Sequence, residues 1–186
     1  DRGTCGRNFN EPESAALLGD AAAAVYIEPT ESNSGLLSYS METYPEGAKL
    51  TEVRGGGTNR HPQNPMTQNS DNLFSMDGPK IFKMALEKVY SKINQDLKQN
   101  NISKKDLKLL IPHQASAKGV SAYSKIGGFK KNQVMNIVSS TGNCVSASIP
   151  LALVMAYNNK IISKNDLIYF IGTGAGLSIA SALLRL

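Results

Sequence analysis

Two polar side chains in this chain are spaced and flanked like groups that do chemistry. His113 follows the apolar run Leu109-Leu110-Ile111-Pro112. Asn143 follows Gly142, ahead of the small-residue stretch Ser146-Ala147-Ser148. Each reads as a short strand, then one polar residue on the loop before a helix. Strand ends of this kind are where α/β sheets gather their functional groups. A neutral imidazole offers one N–H and a carboxamide offers two. Aimed at one point, they could stabilise the oxygen of a developing enolate. Taken singly, each has a plainer reading: a His after Pro as a structural residue, and an Asn after Gly as a turn former. For the imidazole to donate at neutral pH, the partner of its other nitrogen must set the tautomer.

The elements that would position these groups alternate along the chain. Asp77 signals a helix start with Pro79 in its first turn. Phe82, Ala85, Val89, Ile93 and Leu97 recur at helical spacing, and Asn100-Asn101 ends the helix near Gln99. Leu107 to Ile111 is a continuous apolar run, as expected of a buried parallel strand. A helix over Ser116–Ile126 stops at Gly127-Gly128. Val134–Val138 reads as a strand, Ser146–Asn158 as a helix, Leu167–Ile171 as a strand and Leu177–Leu186 as a last one. Leu36–Glu42 reads as an earlier strand. Residues 44–76 are rich in Gly, Pro, Asn and Thr and form one long irregular excursion, the kind of loop that tends to be functional or mobile. Strands alternating with helices imply a mostly parallel, covered α/β sheet. The 146–158 helix is apolar around most of its circumference through Ala147, Ile149, Leu151, Leu153 and Val154, which predicts burial all round.

Composition narrows the function classes. The chain has 186 residues, 41% hydrophobic and 19% charged, enough for a real core. The net charge of +5 fits an acidic protein partner or a phosphorylated ligand. No arginine-rich run or basic patch interleaved with aromatics is present, so nucleic acid is not expected as a partner. Cys5 and Cys144 make neither a disulfide framework nor a metal spacing, which fits a reducing cytoplasm and no bound metal. No stretch is long and apolar enough to span a bilayer, and no signal peptide is visible.

Pro112-His113-Gln114-Ala115, Gly142-Asn143 and Gly172-Thr173-Gly174-Ala175-Gly176-Leu177-Ser178 resemble, in order and spacing, the β-ketoacyl-acyl-carrier-protein synthase III family of the thiolase-like superfamily. The resemblance covers nearly the whole chain and implies a five-stranded, mostly parallel sheet with helices on both faces and a final antiparallel strand. Such enzymes are built from two similar halves. The resemblance implies that residues 1–34 are the last strands of the first half and that 35–186 are the second half, with the loop 44–76 inside it. Asp1 in place of Met fits a fragment, and the nucleophilic cysteine of the family is expected in the first half. On this reading Ala22–Glu28 is a strand of closely packed small residues, although alanine propensity alone favours helix there. Gly19-Asp20 before Ala21–Glu28 would echo Gly174-Ala175-Gly176 before Leu177–Leu184 as the matching end of the other half.

The resemblance also implies roles. His113 and Asn143 hydrogen-bond the thioester carbonyl of a malonyl group as it loses carbon dioxide. The backbone N–H of Ala175 forms half of an acyl oxyanion hole. Lys118 meets the carrier protein or coenzyme A phosphates, and Ser116 stands where an Asn often contacts pantetheine. Thr173 replaces an aromatic residue, which bears on the primer substrate rather than on the reaction class. Cys144 reads as a small hydrophobe, and His61 as a loop residue. Cys5 lies in an end expected to be disordered. The implied function is decarboxylating Claisen condensation of an acyl thioester with malonyl-acyl-carrier protein. Its substrates are coenzyme A or phosphopantetheine thioesters with no tightly bound cofactor, and a homodimer forms through the first half. The rivals are a non-catalytic subunit that binds acyl chains or a carrier protein, and acyl transfer to an amine or sugar hydroxyl. Retention of both His113 and Asn143 favours condensation.

Overall fold

A computed structural model describes residues 1–30 and 32–186; Glu31, inside the segment 1–34, lies outside the described residues. After the short helix α1 (Pro12–Ala15), the chain folds around one sheet of four strands. β1 (Gly35–Thr43) lies at an edge, followed across the sheet by β6 (Ser178–Arg185), β5 (Leu167–Gly174) and β4 (Leu109–Pro112). β2 (Thr51–Glu52) and β3 (Ser75–Met76) pair with each other and close the base of the long excursion. β4 and β5 are parallel, while β6 runs against both β5 and β1. Three of the four strands therefore point one way and the last is reversed.

Two expectations change here. The reversed strand sits inside the sheet, so two of its three ladders are antiparallel. The fifth strand is reduced to a single bridge between Val134 and Leu110, and Val134–Val138 makes no ladder. The buried amide of Gln114 explains part of that. It occupies backbone groups of this segment: Gln114 Nε2 donates to Met135 O at 3.2 Å, and Ile137 N–H donates to Gln114 Oε1 at 2.9 Å.

Side-chain parity builds two cores. Leu110 on β4 and Leu167, Tyr169 and Ile171 on β5 point to one face. There they meet α2 (Gly78–Gln99) through Val89, Ile93 and Leu97, and α3 (Ala117–Lys125) through Val120 and Tyr123. Leu109, Ile111 and Ile168 point to the other face, against Ala152 and Ala156 of α5 (Ser148–Asn158). This alternation follows from the two-residue repeat of a strand. The expected helices on both faces are present. α5 is not buried all round. Ala152 and Ala156 are sealed, while Ile149, Leu151, Leu153 and Val154 are half-buried.

The long helix begins and ends as its sequence dictates. The Asp77 carboxylate accepts from Lys80 N–H at 3.1 Å. At the other end Asn101 takes a left-handed φ of 53°. Asn101 N–H donates to Lys98 O at 3.1 Å and Ile102 N–H to Leu97 O at 2.9 Å, a Schellman closure with Asn in glycine's place.

The N-terminal segment departs from expectation. Ala22–Glu28 forms no strand: it pairs with nothing among the described residues and its side chains are exposed, including Tyr26 and Ile27. A lone strand has no partner for its N–H and C=O groups, so the backbone stays solvated. Cys5 lies in an ordered 3-10 turn, Gly3–Gly6, which Asp20 ties down by accepting from Thr4 N–H at 2.8 Å.

Candidate active site

β4 stops at Pro112 while β5 runs on to Gly174, and His113 follows the first of these ends. Pro112 sits opposite Ile171, and the ladder runs one step further: His113 N–H donates to Ile171 O at 2.8 Å. The backbone of His113 is thus an extension of β4, which fixes the root of the imidazole. The residue keeps part of its surface open, yet packed neighbours desolvate the ring. That burial lowers its pKa from 6.5 to about 4. At neutral pH the imidazole is uncharged and carries a single N–H, the state in which it donates to an oxygen without carrying a positive charge.

Gln114, to which sequence reading assigned no role, braces the backbone around the candidate groups. It is 0% exposed. Besides its two bonds to the 135–137 segment, Nε2 donates to Pro112 O at 2.8 Å. One buried amide therefore ties the end of β4 to the backbone that leads to Asn143. The only signal for it in the sequence is a polar residue directly after an apolar run, where a buried amide must find partners on every side.

The short helix α4 (Val138–Thr141) leads to Gly142, at φ 69°. A side chain there would come 3.0 Å from Leu17 O and 3.2 Å from Gly19 N, so both the backbone conformation and the space call for glycine. The close approach is used: Asn143 N–H donates to Leu17 O at 2.7 Å, and Gly19 N–H donates to Asn143 O at 2.9 Å. Residues 17–19 thereby hold the main chain of Asn143. Its side-chain Oδ1 accepts from Val145 N–H at 3.0 Å. That bond assigns the amide orientation and turns the NH₂ away, with no acceptor for it among the described residues.

Cys144, next in the chain, is 0% exposed, and its Sγ donates to Thr141 O at 3.3 Å. Burial pushes its pKa up, so it is a thiol rather than a thiolate. It packs as the small hydrophobe its sequence context implied. His61 lies in the exposed loop, accepting from Gln63 N–H through Nδ1 at 3.2 Å.

Ala175 tops the β5–β6 turn, four residues past Ile171, the level at which β4 stops, and is exposed. Ser116 is the N-cap of α3, its Oγ accepting from Gly119 N–H at 3.1 Å. Its hydroxyl retains one proton to donate. Lys118 lies exposed on the first turn of the same helix, its ammonium 5.0 Å from the centre of the Phe82 ring on α2. Among the described residues no group of three His, Cys, Asp or Glu side chains could hold a metal ion, and no helix is long and apolar enough to cross a membrane.

A second cluster of charge lies under the sheet and was not foreseen. Asp96 of α2 accepts from Lys92 Nζ at 2.5 Å, and from Tyr169 Oη and Ser181 Oγ at 2.6 Å each. Lys92 Nζ also meets Glu42 Oε1 at 3.2 Å. Burial works against the charge on Lys92, but its bonds to Asp96 and Glu42 outweigh that and hold its pKa above the ordinary value. The helical spacing of Lys92 and Asp96 is visible in the sequence, and spacing alone reads them as a solvated pair.

Residues 97–186 match the family model described as 3-oxoacyl-[acyl-carrier-protein (ACP)] synthase III C terminal. Over its full length the chain is 31% identical to a β-ketoacyl-[acyl-carrier-protein] synthase III of Rickettsia bellii, covering 53% of that protein. It is 34% identical to one from Wolbachia pipientis subsp. Culex pipiens, again over all of this chain and 52% of the relative. Among solved structures, the β-ketoacyl-[acyl-carrier-protein] synthase III of Thermus thermophilus superposes with a TM-score of 0.79 at 25% identity, over 96% of this chain and 55% of that one. The chain spans about half the length of the curated relatives it matches.

Proposed function

From a chain whose residues 97–186 form a 3-oxoacyl-[acyl-carrier-protein] synthase III C-terminal domain on a thiolase-like fold, we propose that it supplies the decarboxylating half of a condensing site. The substrate is a malonyl thioester of an acyl-carrier protein. Its carboxylate leaves as carbon dioxide, and the electron pair of the broken C–C bond passes into the thioester as an enolate. His113 donates its ring N–H, and Asn143 its amide N–H, to the enolate oxygen. The enolate carbon then attacks an acyl group held as a thioester on a cysteine. The backbone N–H of Ala175 stabilises the resulting oxyanion, and the cysteine leaves as thiolate.

The observation that carries this reading is the placement of His113, held as an extension of β4 by its bond to Ile171 O and packed among neighbours that desolvate its ring. An imidazole desolvated to a pKa of about 4 is a neutral donor at physiological pH. Donors of this kind work where negative charge develops, in a place shielded from water. The cysteine is proposed to come from polypeptide outside residues 1–186, because Cys144 is sealed and protonated. Lys118 and Ser116, on the first turn and cap of α3, are proposed to meet the phosphate and pantetheine of the carrier, and assembly as a homodimer is proposed to run through the other half.

The test is decarboxylation of malonyl-acyl-carrier protein by the full-length protein. His113→Ala and Asn143→Ala are each expected to slow it by about 10²-fold or more, the usual cost of losing one such donor. Unchanged decarboxylation in both would refute the paired-donor reading, and no decarboxylation by the wild type would leave a binding subunit. Retained acyl transfer to an amine or sugar hydroxyl would point to the other acyltransferase reading. Residues 1–186 alone are expected to show no condensation, and turnover abolished by Cys144→Ala would overturn the assignment of the nucleophile.

A further inference from the structure

The turn that carries Ala175 is held from behind by the start of the long excursion. Tyr44 N–H donates to Leu177 O at 2.8 Å, and Leu177 N–H donates back to Tyr44 O at 3.0 Å. The same Tyr44 carbonyl accepts from Gly47 N–H at 3.0 Å. One carbonyl thus joins the 3-10 turn Pro45–Gly47 to the β5–β6 turn. Leu177 is buried in the core against α2, and Tyr44 packs on the same cluster. The Tyr44 hydroxyl donates to Glu42 Oε2 at 2.5 Å, and the other oxygen of Glu42 meets Lys92. Both the backbone and the side chain of Tyr44 are therefore tied to fixed groups.

Gly47 lies directly beneath this junction. A side-chain carbon there would come 2.8 Å from Leu177 N and 2.9 Å from Leu177 Cβ, with Met84 Sδ at 3.2 Å. The first of these is backbone inside the reciprocal pair, so it cannot give way without moving the turn. Ala175 is exposed between two glycines, and its own methyl group offers little hold. The ladder pairs Gly174 with Ser178 across the turn, and Leu177 and Tyr44 brace it from behind.

We propose that Tyr44 and Gly47 are positioning residues for the Ala175 N–H: the pair with Leu177 sets the height of the turn, and Gly47 leaves the space that pair needs. The proposal rests on the reading of Ala175 as an oxyanion donor. A donor of this kind acts through fixed placement, and a shift of about 1 Å is worth about 10²-fold in rate.

The experiment separates two half-reactions of the full-length protein. One is transfer of an acyl group from its coenzyme A thioester to the enzyme's cysteine, where the Ala175 N–H acts. The other is malonyl decarboxylation, which uses donors on other segments. Gly47→Ala is expected to slow acyl transfer by about 10²-fold and to leave decarboxylation unchanged. Leu177→Val shortens the anchor without adding bulk and is expected to give a smaller loss of the same kind. Thermal unfolding of each variant reports folding. Acyl transfer unchanged in folded Gly47→Ala, or both half-reactions falling together, would overturn the proposal. If Gly47→Ala does not fold, Leu177→Val decides by the same split. His113→Ala is the control: if it still decarboxylates, the functional reading fails, independently of what Gly47→Ala does to acyl transfer.

Discussion

At the scale of single residues, chemistry is set by what surrounds each side chain. His113 and His61 are the two histidines of the chain. One is desolvated at a strand end and the other lies in an exposed loop. Between pH 6.5 and about 4 the unfolded chain binds a proton that His113 refuses in the folded state. Folding stability is therefore expected to fall as pH drops through that window and to be level above it. Urea titrations of the wild type and His113→Gln test this: the slope should flatten in the variant. The same burial predicts that decarboxylation shows no inflection near 6.5 and declines only toward about 4. Cys144→Ala is expected to cost about 1 kcal/mol of stability, the common size of a small core truncation. Turnover of the full-length protein should persist, and loss of turnover in a folded variant would restore a catalytic role to that thiol.

Elements are where sequence and packing part company. The start of α2 was legible in Asp77 and Pro79, and its end in Asn100-Asn101, because caps are local chemistry. The buried ion pair on the same helix was not, because nothing local says that Asp96 faces Tyr169 and Ser181 or that Lys92 faces Glu42. Its energetics are those of a charge that cannot return to water. Asp96→Ala should leave Lys92 short of a partner and cost about 3–5 kcal/mol, read from chemical denaturation. The double replacement Lys92→Met with Asp96→Leu should cost less than the single one, since no charge is then stranded. A double variant as damaged as Asp96→Ala would show that the network holds α2 by its hydrogen bonds rather than by balanced charge.

Across the whole molecule, one face of the sheet is incompletely covered. α5 packs over β4 and β5, while Tyr39 and Met41 of β1 stand 74% and 78% exposed beside their cross-strand neighbours Ala182 and Ala180. Val25, Tyr26 and Ile27 are exposed as well. Exposed apolar surface of this kind tends to find a partner. Residues 1–186 prepared alone are expected to bind a dye specific for exposed apolar surface and to self-associate. Tyr39→Ser with Met41→Ser should reduce both. A monomer at high concentration without dye binding would contradict this reading of the face.

What the sequence by itself determined is whatever depends on neighbours along the chain. That includes the α/β alternation, the caps of α2 and the span of α3, the strand ends that carry His113 and the turn at Ala175, and the glycine before Asn143. The same local logic overreached where a strand needs another strand. Val134–Val138 has strand-like composition and Ala22–Glu28 is a strand only by the resemblance, yet the first makes a single bridge and the second pairs with nothing among the described residues. Only the tertiary structure decided those two, together with the reversed strand's place inside the sheet. It also set the clamp of Gln114 between two loops, the desolvation of His113, and the grip of Tyr44 on the turn. Each depends on groups far apart in sequence meeting at hydrogen-bonding distance or excluding water from one another, and no periodicity along the chain records such a meeting.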